Sequence, residues 1–253
     1  MSRPPTVKAL DAGRWFLRST TRTEAELVLY CLPHAGAGAS AYRAWSALLP
    51  SWIDPAAVRL PGREHRIAEP PSVDPERLAG AVTTDAAGRP FALFGHSMGG
   101  LLAFEVARVL AATGRPGPVR LAVSATAHPR TPVPGTISDL PDERLVQWLR
   151  EQGTPPRLLA DEQLLALLIP PLRADSAWLE SYRYRPGPAL RCGVSVFAGR
   201  QDPYALDLAA WAAETAAGCV VRRYPGGHHY LAERPEPLLA DLVEDLAPHR
   251  ERR

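Results

Sequence analysis

Lysine is almost missing from this chain: Lys8 is the only one, and arginine supplies nearly all of the 29 Lys plus Arg positions. Against 27 Asp plus Glu, this leaves no global field to favour nucleic acid or a membrane surface. With Ala and Pro abundant, the lysine scarcity reads as codon bias rather than as a site. Cysteine is scarce too. Cys31, Cys192 and Cys219 are scattered without metal-ligand spacing, and an odd, sparse set argues against a disulfide framework and for a reducing compartment. Cys31 and Cys219 lie in strand-like runs, where a small buried hydrophobe is the simpler reading. No uninterrupted apolar run approaches the roughly 18 residues of a membrane span, and Met1 to Asp11 lacks the apolar region of a signal peptide. There is no internal repeat and no low-complexity tract. These absences predict a cytoplasmic protein with no membrane and no nucleic-acid partner, and no metal or cofactor site is read from the sequence.

What is present suits a large mixed domain. The 253 residues are 46% hydrophobic and 22% charged, an ordinary soluble balance with enough chain to bury a core. Trp15-Phe16-Leu17 could form a short edge strand after a loose lead-in over residues 1–13. Glu26 to Leu32 is a near-continuous apolar run closed by Pro33, as expected of a strand buried on both faces of a parallel sheet. Further strands are expected at about Ala56 to Leu60, Phe91 to His96, Val119 to Ser124, Gly193 to Ala198 and Cys219 to Tyr224. Helical patterns lie around Tyr42 to Leu49, over Pro75 to Ala87, after Ser97, and at about 207–217 and 235–247. This alternation predicts an α/β architecture, a doubly wound and mostly parallel sheet, in one domain over residues 1–253. Residues 135–188 break the alternation. Leu145, Val146, Trp148 and Leu149 suggest one helix, and Asp161 can cap a second. Pro170-Pro171 is expected to interrupt that second helix before a third piece reaches Tyr182. Such an insertion reads as a helical lid over the carboxyl ends of the strands, or as an extra packing layer.

Phe91-Ala92-Leu93-Phe94-Gly95-His96-Ser97-Met98-Gly99-Gly100 carries the chemistry. An apolar strand ends in Gly-x-Ser-x-Gly and an amphipathic helix follows, the pattern of a nucleophile elbow. A serine hydroxyl needs a base to become a nucleophile. In hydrolases built on this sheet the chain order is Ser, then Asp or Glu, then His. Asp202 follows one late strand and His228 the last, so Ser97, Asp202 and His228 are the expected catalytic set. His229 is the alternative base. Asp207 is the rival acid, though it stands where a helix should begin and can serve as an N-cap. His96 should point away from the nucleophile, and His34, His65, His128 and His249 are read as surface or supporting residues. Two backbone N–H groups aimed at the developing oxyanion contribute about 2.7–4 kcal/mol apiece. Met98, next after the nucleophile, supplies one, and Ala35 in the small-residue loop His34 to Gly38 the other. That loop lacks the spacing of a nucleotide site.

These motifs in combination resemble the type II thioesterases of polyketide and nonribosomal peptide synthesis, a family of the α/β-hydrolase superfamily. The residues that carry the resemblance are Leu32 to Gly38, Leu60-Pro61-Gly62-Arg63-Glu64, Phe94 to Gly100 and Gly226-Gly227-His228. In the lid they are Gly153 to Pro156, Pro170 to Asp175 and Glu180 to Tyr184. The likeness spans about residues 14 to 246. It implies an α/β-hydrolase fold and a free-standing, monomeric enzyme with no cofactor. It also implies hydrolysis of acyl groups from the phosphopantetheine thiol of an acyl or peptidyl carrier protein, clearing stalled units. Carrier proteins are commonly acidic, which makes Arg63, Arg66, Arg183 and Arg185 docking candidates. One departure is Arg200, where many relatives place an acid two positions before the Asp-Pro pair. A carboxylester hydrolase, an acyltransferase and a catalytically silent binding protein are the competing readings, since the serine set alone does not choose the leaving group.

Overall fold

The computed structural model describes residues 12–20, 22–132, 136–152, 154 and 156–250. Residues 1–11 of the expected lead-in, Gly135 at the expected start of the lid, and Gly153 and Pro155 of the lid motif lie outside them. Seven strands are β1 (Phe16–Leu17), β2 (Leu27–Leu32), β3 (Ile53–Val58), β4 (Phe91–His96), β5 (Arg120–Ser124), β6 (Gly193–Gly199) and β7 (Cys219–Tyr224). They form one sheet in the order β1-β3-β2-β4-β5-β6-β7. The two-residue β1 runs antiparallel to β3, and the other pairs are parallel. Strand β3 begins before the expected Ala56 because Pro55 is accommodated, pairing in register with Leu29. On its outer side β1 reaches only Ala57 and Val58, so the strand is an open edge beside Pro55, where a missing donor is tolerated.

The central strands alternate side chains between two cores. Val28, Tyr30 and Leu32 of β2 face one cluster, and Leu27, Leu29 and Cys31 face the other. Along the chain the helices are α1 (Ala12–Trp15), α2 (Trp45–Leu48), α3 (Pro75–Ala86) and α4 (Met98–Ala112). After β5 come α5 (Asp142–Glu151), α6 (Pro156–Leu159) and α7 (Glu162–Ser181), and α8 (Tyr230–Glu233) and α9 (Glu236–Leu246) end the order. Leu78 and Val82 of α3 and Leu102 and Val106 of α4 cover the first face, while Trp45 of α2 and Leu238 and Leu242 of α9 cover the second. The sheet is thus wound on both sides. Fully burying one such large apolar side chain contributes about 1.5–3 kcal/mol. Among the described residues no helix is long and apolar enough to cross a membrane.

Two helical expectations need correction. The pattern at 207–217 is a 3-10 helix over Leu208–Glu214, with Leu208, Trp211 and Glu214 buried. Inward residues recur at every third position, the period of a 3-10 rather than an α-helix. Asp207 stands at its N-cap position with φ 50°, but its side chain makes no cap bond. In the lid, Pro170 and Pro171 lie inside one continuous helix, α7, and do not end it. Each proline removes a backbone donor and crowds the preceding turn. Packing outweighs that cost: Ile169 and Leu172, on either side, join Leu145 in a lid core. The Asp161 side chain caps α7 as expected, accepting from Leu164 N–H at 3.0 Å.

Glu180 ties the far end of α7 to the segment that enters the lid. It accepts from the N–H groups of Ile137 and Ser138 and from the Ser138 hydroxyl. Burial by itself would favour the protonated carboxyl, but these donors outweigh it and hold the group below its ordinary 4.5. A carboxylate depressed on folding adds stability above its unfolded pKa, lost as pH falls towards the folded value. One group changes the slope by at most about 1.4 kcal/mol per pH unit. Melting temperatures taken from about pH 6 to about pH 3 are therefore expected to fall less steeply for Glu180→Gln than for the parent chain. Parallel curves would remove Glu180 from the acid response.

Candidate active site

The site stands at the carboxyl edge of the sheet, where β4 turns into α4. Ser97 occupies that turn with φ 55° and ψ −120°, a strained conformation for a residue with a Cβ. Its neighbours explain how the turn closes. A Cβ on Gly95 would lie 2.0 Å from the Gly99 carbonyl oxygen, and one on Gly99 would lie 2.2 Å from that of Leu32. Hydrogen bonds hold the turn from β5: Ser97 N–H donates to the Ser124 carbonyl at 2.7 Å, and the Thr126 hydroxyl donates to the Ser97 carbonyl at 3.0 Å.

Asp202 follows β6 and His228 follows β7, and both side chains reach the serine. His228 Nε2 is 2.9 Å from Ser97 Oγ, while its Nδ1 is 3.1 Å from each Asp202 oxygen. The Asp202 side chain is wholly buried and also accepts from Tyr204 N–H at 2.9 Å. With Nδ1–H donated to the carboxylate, Nε2 is left as the acceptor of the serine proton. The neighbouring histidine is elsewhere. Among the described residues His229 makes no hydrogen bond to Ser97, and its ring packs against His34 at 5.0 Å and His96 at 5.9 Å between centroids. Asp207 also lies apart, its side chain accepting only a long 3.5 Å contact from Thr131.

Of the expected oxyanion donors, Ala35 lies in the loop after β2 and Met98 next to the serine in sequence, and among the described residues neither N–H donates a hydrogen bond. Met98 is the first residue of α4, whose leading N–H groups have no partner within the helix and sit at its positive dipole end. The Ala35 loop is clamped from the lid. Asp175 of α7, fully buried, accepts Gly36 N–H at 2.8 Å. It also takes two bonds from Arg63, at 2.7 and 2.8 Å. Glu64 holds the next residues, accepting from Ala39 and Ser40 N–H at 3.0 and 2.9 Å.

Arg63 and Arg66 are therefore not docking residues. Arg63 is 4% exposed and consumed by Asp175. Arg66 is equally buried, paired with Glu69 and stacked over Trp15 at 4.1 Å. Arg183 and Arg185 do remain exposed, as does Arg200. His65 and His249 are exposed, whereas His128 is buried on Glu214 at 3.0 Å, beside the Tyr184 hydroxyl that bonds the same carboxylate. Burial lowers the proton affinity of three site histidines. His34 falls to about 3, His96 well below its usual value and His229 below it, with the neighbouring imidazoles adding to the effect in each. An open cleft of ≈ 630 Å³ runs past His228, His229 and Tyr204 to Glu151 and Gln152 at the end of α5.

Asp175, the Arg63 and Glu64 clamps and the grouping of His34, His96 and His229 are not in the reading of the sequence. One signal was available for Asp175. It falls on the same helical face as Ile169, Leu172 and Ser176, so an acid was being buried, and a buried acid needs a partner.

The chain is similar to known proteins over most of its length. The thioesterase domain family matches residues 28–246. Gramicidin S biosynthesis protein GrsT of Aneurinibacillus migulanus is 35% identical, over 93% of this chain and 95% of that protein. Thioesterase PikA5 of Streptomyces venezuelae is 35% identical over 94% of this chain and 87% of its own length. Among solved structures, the type II thioesterase BorB from the borrelidin biosynthetic cluster superposes with a TM-score of 0.82 at 38% identity, covering 92% of this chain and 97% of that one. Matched over most of its length and sharing their α/β-hydrolase sheet, the chain belongs to the thioesterase domain family.

Proposed function

We propose that this enzyme hydrolyses acyl groups from the phosphopantetheine thiol of acyl or peptidyl carrier proteins in polyketide or nonribosomal peptide assembly. Ser97, His228 and Asp202 are its catalytic set. The observation that carries the chemistry is the 2.9 Å contact from His228 Nε2 to Ser97 Oγ. As Oγ attacks the thioester carbon, its proton passes to Nε2, and Asp202 steadies the imidazolium. The Ala35 and Met98 N–H groups receive the oxyanion. Collapse breaks the C–S bond, and the thiol leaves with the imidazolium proton. Water then attacks the acyl-enzyme, giving a proton to His228. The Oγ–C bond breaks, the proton returns to Oγ, and a carboxylic acid is released.

The substrate class rests on relatives named for such pathways, GrsT, PikA5 and BorB. The insertion of about residues 135–188 serves as a lid on a single domain, a reading supported by the end of α5 lining the cleft beside His228. Exposed Arg183 and Arg185 past its end suit an acidic carrier. Rates on an acyl-carrier thioester and on a matched oxygen ester test the proposal. Faster release from the carrier is expected. Equal or faster cleavage of the free ester would make this a general carboxylester hydrolase.

A further inference from the structure

His34, His96 and His229 come from three distant segments, after β2, at the end of β4 and after β7, yet one nitrogen of each lies within 4.8 Å of the other two. His96 fixes the geometry. Its Nδ1 bonds Ser124 Oγ at 2.9 Å, and that hydroxyl is held by Tyr230 Oη at 2.8 Å. Nε2 is then the free nitrogen. It is buried in a side chain only 1% exposed, and makes no hydrogen bond of normal geometry among the described residues. The backbone of His228 lies close enough to raise the proton affinity of the ring a little against its burial, and an ion at Nε2 must displace that contact. A buried polar atom without a full partner is the kind of group that a ligand completes.

We propose that these three histidines bind one divalent transition-metal ion, zinc or a close analogue, through their free ring nitrogens, with solvent in the fourth position. Neutral imidazoles suit such ions rather than Mg²⁺ or Ca²⁺, and burial keeps all three neutral. The Ser124–Tyr230 pair behind His96 is the outer support that metal-bound histidines require. Bond lengths of about 2.0–2.1 Å place tetrahedral ligand nitrogens roughly 3.4 Å apart. The cluster must therefore tighten by up to about 1.4 Å, through rotamer changes of the partly exposed His34 and His229. His229 lines the open cleft, which gives the ion a way in. Nearby charges offset: Arg63 faces His34 but is neutralised by Asp175, and Asp202 acts on His229 with a favourable sign. His228 is excluded as a ligand because Ser97 and Asp202 occupy both of its nitrogens.

Calorimetric titration of metal-stripped protein with Zn²⁺, and absorption spectra with Co²⁺, test the site without reference to activity. One ion per chain at micromolar affinity is expected, weakened about 100-fold in His229→Phe and in His96→Gln, and kept in His228→Gln. The site is overturned if the parent chain binds no zinc at about 100 μM, if His229→Phe binds as well as the parent, or if His228→Gln abolishes binding. A chain that cleaves no ester at all would sink the hydrolase reading above while leaving the binding result standing.

Discussion

Ser97→Ala is expected to lower kcat by at least about 10⁴-fold with the fold intact. The variant keeps the oxyanion donors and the cleft, so residual turnover measures what those alone supply. It should also escape labelling by a fluorophosphonate that modifies the parent chain. The backbone adds a second expectation. Ser97 sits at φ 55° and ψ −120°, and alanine there bears the same strain. Glycine does not, so Ser97→Gly should be inactive yet more stable by about 1–3 kcal/mol. That result would show stability given up to present the hydroxyl, a trade seen where function needs a strained site. Urea unfolding of the three proteins reads the difference. A Ser97→Ala enzyme that turns over at the parent rate would end the assignment of Ser97 as nucleophile.

The elements nearest the serine were the most legible in the sequence. Strands β2, β4 and β6 are buried along their whole length, so each reads as a mainly apolar run with Gly or Pro at or near its end, and the order of strand ends orders Ser97, Asp202 and His228. What stayed hidden depends on contacts between residues far apart in the chain. Arg63 meets Asp175 across 112 positions. On the page an arginine in such a loop looks like an exposed charge, and only the folded lid turns it into a buried pair. The prolines of α7 misled for the same reason: local propensity ends a helix there, while Ile169 and Leu172 hold it in place by packing on Leu145. His34, His96 and His229 each look ordinary alone. Their grouping exists only where β2, β4 and the segment after β7 converge.

Asp175→Ala is expected to damage both stability and turnover, for reasons that a second variant separates. Removing the carboxylate strands the Arg63 guanidinium, 4% exposed, and breaking a buried pair from one side costs about 3–5 kcal/mol. It also frees Gly36 N–H, which Asp175 holds at 2.8 Å. Gly36 has φ 76°, so without that anchor its loop can re-aim the adjacent Ala35 N–H. Losing one oxyanion donor costs about 2.7–4 kcal/mol, roughly 10²–10³ in kcat. The double variant Arg63→Met/Asp175→Leu removes both charges, and replacing a buried pair by apolar residues is often neutral or stabilising. It should recover most of the lost stability while kcat stays low and KM changes little. Asp175 belongs to α7, so this signature would mean that the lid itself aligns the oxyanion donor. Turnover that returns together with stability would confine Asp175 to a structural role.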